Sequence, residues 1–148
     1  MNKAAILEKI IEEQQKIVDS MVTSREEYRE ESDLDENSGT IDPEDLSNQT
    51  NAKEMEMRMQ VMLDNAKAEL EKLKQYSGVE KNEVAAGALV DTGERLFFVG
   101  SGIASMQVFG KELLGVSLEA PAFRVMAGKK AGDSFTLGNE TYSILSVQ

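Results

Sequence analysis

Two stretches of this chain place apolar residues three and four apart, and an acidic segment without a single Lys or Arg separates them. The first runs from about Asn2 to Ser32, with Leu7, Ile11, Val18, Met21 and Tyr28 on one stripe and Ile10 and Ile17 widening it. Gln14 and Arg25 fall on the same stripe and weaken it. The second stretch carries Met55, Met59, Met62 (with Leu63), Ala66, Leu70 and Leu73. This spacing marks a helix with one apolar seam, the face that a coiled coil buries. A methionine-rich seam reads as core filling. Asp42-Pro43 is a good start for the second helix. Asp caps free amide groups, and Pro is tolerated at a first helical position, where an N–H has no helical partner. Ser77-Gly78 ends it. Pairing Leu7 with Leu73 centres a hairpin near residue 40. Arms of about 31 to 34 residues would be roughly 45–50 Å long at 1.5 Å per residue.

The tip of that hairpin is rich in carboxylates. Ser32 to Asp45 holds Asp33, Asp35, Glu36, Asp42, Glu44 and Asp45, and no basic residue occurs between Arg29 and Lys53. Residues 1–78 hold 10 basic and 19 acidic side chains, a net of −9, against 6 and 8 in residues 79–148. So acidic a chain is a poor direct binder of nucleic acid, whose affinity rests on Lys and Arg contacts to phosphate. A basic protein surface or a divalent cation suits it better. For most acids on the arms, a solvated helix face is explanation enough. Cysteine and histidine are both absent. That excludes disulfides, thiolate metal sites, a thiol nucleophile and the usual general base near neutral pH. Met1 to Lys16 is amphipathic and charged rather than an apolar signal core, and no apolar run reaches the roughly 20 residues that span a membrane. The expected location is the cytoplasm.

From Val79 the charge falls, glycine rises, and β-branched and apolar residues come in short runs. Strands are predicted at Gly87–Val90, Leu96–Val99, 103–109 and Leu113–Val116. A short helix is predicted from Pro121 to Gly128, and a last hairpin from Ser134–Leu137 and Thr141–Val147 across Gly138-Asn139. These make a small antiparallel sheet with a modest core.

The segment from Val116 to Asp133 carries a more specific pattern: Ser117, Pro121, a short apolar helix, then Gly128, Lys129, Lys130, Gly132 and Asp133. With the terminal strand pair, it resembles the C-terminal domain of the bacterial GreA/GreB transcription elongation factors. Ala120 stands where that family prefers Ser. The motif speaks to fold more than to activity: Pro121 starts the helix, Gly128 ends it, and Gly132-Asp133 turns into the next strand. The resemblance implies a long antiparallel coiled-coil helical hairpin, residues 1–77, with an acidic tip near 33–45. It is followed by a small FKBP-like antiparallel β domain with one short helix, residues 78–148.

The resemblance also implies a function. Gre-type factors insert the hairpin into the secondary channel of RNA polymerase. Two tip carboxylates there, in the pattern Asp-Leu-x-Glu-Asn, help hold a magnesium ion shared with the polymerase, which then cleaves its own backtracked transcript. Two registers carry that pattern over. Asp33-Leu34-Asp35-Glu36-Asn37 matches letter for letter and gives Asp33 and Glu36, but lacks the family's following Ala-Glu-Tyr. Counting back from Ala52-Lys53-Glu54 gives Asp42 and Asp45, with Pro43 and Leu46 in place of Leu and Asn. Hairpin geometry favours Asp42 and Asp45, because Asp33 would lie about 10 Å down the stalk. Asp35 and Glu44 are additional tip acids. The expectation is a monomer that binds RNA polymerase, is not an enzyme itself, holds no stable cofactor, and reads no nucleic acid sequence. The alternatives are a channel-binding regulator without cleavage, a prolyl isomerase, and a self-associating coiled-coil scaffold.

Overall fold

The computed structural model describes the backbone of residues 2–36 and 43–148, and the side chains of residues 2–29 and 50–148. In chain order the elements are α1 (Lys3–Glu36), α2 (Pro43–Gln75), β1 (Leu89–Asp91), β2 (Arg95–Val99), β3 (Met106–Val108), β4 (Lys111–Val116), α3 (Pro121–Met126), β5 (Ser134–Leu137), β6 (Glu140–Ser143) and β7 (Ser146–Val147). The chain divides into two compact units. A helical unit spans Glu12–Leu70; a β unit contains Met1–Ile11 and Glu71–Gln148.

In the helical unit, α1 and α2 run antiparallel. Contacts descend along α2 as they climb α1: Gln14 donates from Nε2 to the Ala66 carbonyl at 3.0 Å, and Arg25 donates from Nη1 to Gln60 Oε1. Helix α1 continues four residues past the predicted end at Ser32, to Glu36. No Gly or Pro interrupts Ser32 to Glu36. The start of α2 at Pro43 is as expected.

The seam itself is corrected at three positions. Met55 and Met62 are 39% and 55% exposed, while Leu63 is buried. Beside half-buried Gln60 and Glu69, the buried and half-buried positions described in α2 are Ala52, Glu56, Met59, Leu63, Ala66, Leu70 and Leu73. They alternate four and three apart, the true heptad, and Met55 and Met62 each lie one residue before it. Tyr28, expected on the α1 stripe, is exposed.

Gln14 is no gap in the seam, since it is buried with its amide satisfied. The Ala66 carbonyl already accepts a helical N–H, so the bond is an addition rather than a necessity. Replacing Gln14 by leucine is expected to raise thermal stability by about 1 kcal/mol, because a polar seam position trades stability for register. A lower melting temperature for Gln14→Leu, followed by circular dichroism, would show instead that the bond dominates.

The β unit is built around a five-stranded sheet of order β3-β4-β2-β1-β7, with β5 and β6 forming a separate two-stranded sheet. The expected all-antiparallel sheet is corrected here: β2 and β4 pair in parallel, Leu96 opposite Leu113 and Val99 opposite Val116. Parallel neighbours need a connection that returns along the strand. Residues 100–110 make that return, with β3 pairing antiparallel on the outer side of β4.

Alternation along β2 feeds two cores. Leu96 and Phe98 point to one face and join Ile6, Leu7, Ile10 and Leu73 from the helix ends. Phe97 and Val99 point to the other, against Met126 of α3 and Phe135 and Tyr142 of the small sheet. Tyr76 closes the first core, its ring edge-on to Phe98 at 5.8 Å. Asn2 caps α1 by accepting the Ala4 N–H at 3.0 Å. Lys3 then fastens three segments: its ammonium donates to the Val79 carbonyl at 2.6 Å and the Gln148 carbonyl at 2.9 Å. Burial, then the nearby Lys81 charge, holds the Lys3 pKa below the usual lysine value. Among the described residues, no helix is long and apolar enough to cross a membrane.

Candidate functional site

The acidic tip is placed by backbone alone. Asp33, Asp35 and Glu36 occupy the last turn of α1, and Glu44 and Asp45 the first turn of α2. Asp33 and Glu36 are three residues apart in that helix, so they start from the same face. Asp42 lies outside the described residues, and so do the side chains of all the other tip acids. Asp45 sits where the α2 dipole favours a carboxylate. Both candidate pairs, Asp33 with Glu36 and Asp42 with Asp45, therefore border or enter the connection between the helices.

Charge divides sharply between the two units. The helical unit holds 17 acidic and 6 basic side chains, a net of −11. The β unit holds 10 of each and is neutral. All of the net charge thus belongs to the helical pair, which makes that unit the one suited to cations and basic surfaces.

The signature segment of the β unit takes the form expected of it. Pro121 opens α3 in its first turn, and the Ala127 N–H closes it onto the Phe123 carbonyl at 2.8 Å. Gly128 follows at φ 75 and pairs with Val84 from the loop after α2. The Lys129 carbonyl accepts the Val84 N–H at 2.8 Å. Asp133 accepts the Lys130 N–H at 2.9 Å, which shapes the turn through Gly132. Ser117 is half-buried before the helix, and the Ala120 N–H donates to its carbonyl at 3.0 Å. These roles are structural. The segment's exposed side chains include Leu118, Glu119, Pro121, Arg124, Val125, Lys130 and Asp133, a mixed apolar and charged surface.

On the other face of β2, aromatic rings pack on one another. Phe97 meets Phe135 and Tyr142 edge-on at 5.7 and 5.6 Å, and Phe135 stacks on Tyr142 at 5.5 Å. Tyr142 donates to Glu140 at 2.5 Å and accepts from Arg95 at 3.1 Å. Arg95 also pairs with Glu112 at 3.0 Å. The bond to Glu140, then burial, raises the Tyr142 pKa above the ordinary tyrosine value. The three rings pack against one another.

Several prominent residues escape sequence reading. Lys3 has no motif to announce it, because its partners are two carbonyls 76 and 145 residues away. Phe109 is 72% exposed at the β3–β4 turn, with a left-handed φ of 50 that favours glycine or asparagine. Met57 and Val61 are exposed on α2. The signal for that pair was present in Met55-Glu56-Met57-Arg58-Met59-Gln60-Val61. Its alternation has a period of two, so a helix must spread those apolar residues around its circumference.

Comparison with protein-family models, with curated proteins and with solved structures found no match.

Proposed function

We propose that this protein is a cytoplasmic transcription elongation factor of the Gre type, with an FKBP-like β unit. The helical pair enters the secondary channel of RNA polymerase as an antiparallel coiled coil. The β unit binds the polymerase through the surface around Ser117–Gly128. One observation carries the reading. Two helices of 34 and 33 residues border a short connection, with carboxylates in the last turn of one and the first turn of the other. The likeness of the Ser117–Asp133 motif to the GreA/GreB family supports it.

In this reading the tip carboxylates contribute oxygen ligands to a magnesium ion shared with the polymerase, a donor type that magnesium prefers. That ion supplies Lewis acidity and an activated water for phosphodiester hydrolysis. Asp42 and Asp45 are the proposed pair, with Asp33 and Glu36 as the alternative register. The protein holds no reacting phosphate itself, so it is not expected to cleave free RNA.

The test is transcript cleavage by a deliberately backtracked elongation complex from the same organism. Wild type is expected to accelerate cleavage. Asp42→Asn/Asp45→Asn is expected to lose about 100-fold of that acceleration, the scale set by removing a group that stabilises developing charge. Asp33→Asn/Glu36→Gln should retain it. The reverse pattern selects the other register. Binding and altered elongation without cleavage would favour a channel-occupying regulator, to which Pro43 and Leu46 at pattern positions already point. No binding would overturn the reading.

A further inference from the structure

We propose that residues 52–63 of α2 carry two interchangeable seams against α1, and that an axial turn of the helix switches between them. The seam in place is Ala52, Glu56, Met59, Leu63 and Ala66. A second stripe, Ala52, Met55, Met59, Met62 and Ala66, also alternates three and four apart. The two share Ala52, Met59 and Ala66. They differ only in Glu56 against Met55, and Leu63 against Met62. With about 100° between successive residues, their midlines lie about 50° apart around the helix.

Each seam has something the other lacks. The seam in place buries Leu63 but half-buries Glu56, and it leaves Met55 and Met62 39% and 55% exposed. It also leaves a flaw on α1: the Arg25 Nε is buried with no hydrogen-bond partner among the described residues. The second seam would bury both methionines and turn Glu56 outward. Helix α1 is the surface that covers them. With Gln14 bonded to Ala66, equal rise along two antiparallel helices brings Val18 level with Met62 and Arg25 level with Met55. Val18 is buried and apolar, and the Arg25 stem is an apolar cover whose head can reach water. Methionine fits either setting because its side chain is unbranched.

The switch stops at Ala66. Beyond it the second stripe would place Glu69 where the seam in place has Leu70, and Leu70 and Leu73 are buried. In the other direction α2 is unbroken to Pro43, so its first turn rotates with the seam. Under the polymerase reading, that rotation sets the angle between the acids at the start of α2 and those at the end of α1. A cation bridging both helix ends would bind one angle better and shift the population toward it. The switch itself does not rest on that reading.

The test reads the methionine methyl NMR signals of the full chain, 8 in all, with a soluble paramagnetic agent that broadens exposed methyls. Leu63→Gln puts a polar group on the seam in place and leaves the second seam intact. It is expected to make Met55 and Met62 at least threefold less accessible to the agent, while Met57 stays exposed and Met126 stays buried. Glu56→Leu strengthens the seam in place and is expected to keep both methionines exposed. Wild type is expected to show microsecond-to-millisecond exchange at Met55 and Met62 that Met57 and Met126 lack. That measurement decides the matter if Leu63→Gln does not fold. A folded Leu63→Gln protein with Met62 as accessible as in wild type overturns the proposal. So does wild type without exchange at Met55 and Met62.

Discussion

Phe97→Ala is expected to lower the stability of the β unit by about 3–5 kcal/mol, the range for emptying a large aromatic site in a core. Phe97 is 1% exposed and stands edge-on to two other rings, Phe135 and Tyr142. Its neighbours across the sheet, Val90 and Leu114, are held by main-chain pairing and cannot collapse into the space. Removing the ring therefore leaves a cavity and forfeits two edge-to-face contacts, each about 0.5–1.5 kcal/mol beyond its area. At about 2–4 °C per kcal/mol for a chain of this length, the melting temperature should fall by roughly 10–15 °C. Phe97→Leu, which keeps part of the volume but loses both ring contacts, should cost less than the alanine variant. A fall of less than about 3 °C for the alanine variant would mean that the aromatic cluster is not the core it resembles.

Gly115→Ala should cost nearly as much for the opposite reason. A Cβ at Gly115 would lie 2.5 Å from Ile103 Cγ1, 2.6 Å from the Ile103 nitrogen and 2.7 Å from the Ser101 carbonyl oxygen. Two of those three atoms are backbone, so no rotamer change makes room. The backbone they belong to is itself fixed. Ser101 is 1% exposed, and the Gly100 N–H donates to the Val116 carbonyl at 2.8 Å. Overpacking of this kind costs about 1–3 kcal/mol, and the fixed loop places Gly115→Ala at the top of that range. Urea denaturation would measure it. Adding Ile103→Ala removes one of the three contacts and should not restore stability. A Gly115→Ala protein within about 0.5 kcal/mol of wild type would show that the 100–103 loop moves freely.

The two units divide the proposed work along physical lines. The β unit is charge-neutral and has two apolar cores on one sheet, which suits a rigid docking body. The helical unit carries all of the net charge, its carboxylates are concentrated at the helix connection, and one stretch of α2 leaves methionine uncovered.

Local signals in the chain were enough for most elements but not for every end: α1 runs to Glu36 rather than Ser32, and the strand predicted at Thr141–Val147 is two, β6 in the small sheet and β7 beside β1. Asp42-Pro43 marked the start of α2, Gly138-Asn139 the last hairpin, and Pro121 and Gly128 the limits of α3, because caps and turns depend on residues a few positions apart. The three-four spacing of Leu7, Val18, Ala66 and Leu70 marked two helices with a shared seam. The acids around residues 33–45 were legible as candidates by composition alone. Tertiary structure decided what depends on distant partners. A strand reads the same in either direction, so the parallel pairing of β2 with β4 came only from the return path through β3. Gln14 looked like a flaw in its seam until the Ala66 carbonyl, 52 residues on, received its amide. The run from Met55 to Val61 alternates with a period that names no helix face. Only packing against α1 chose Met59 and Leu63 for the interior and left Met57, Val61 and Met62 outside, since a helix can bury one stripe against one neighbour and no more.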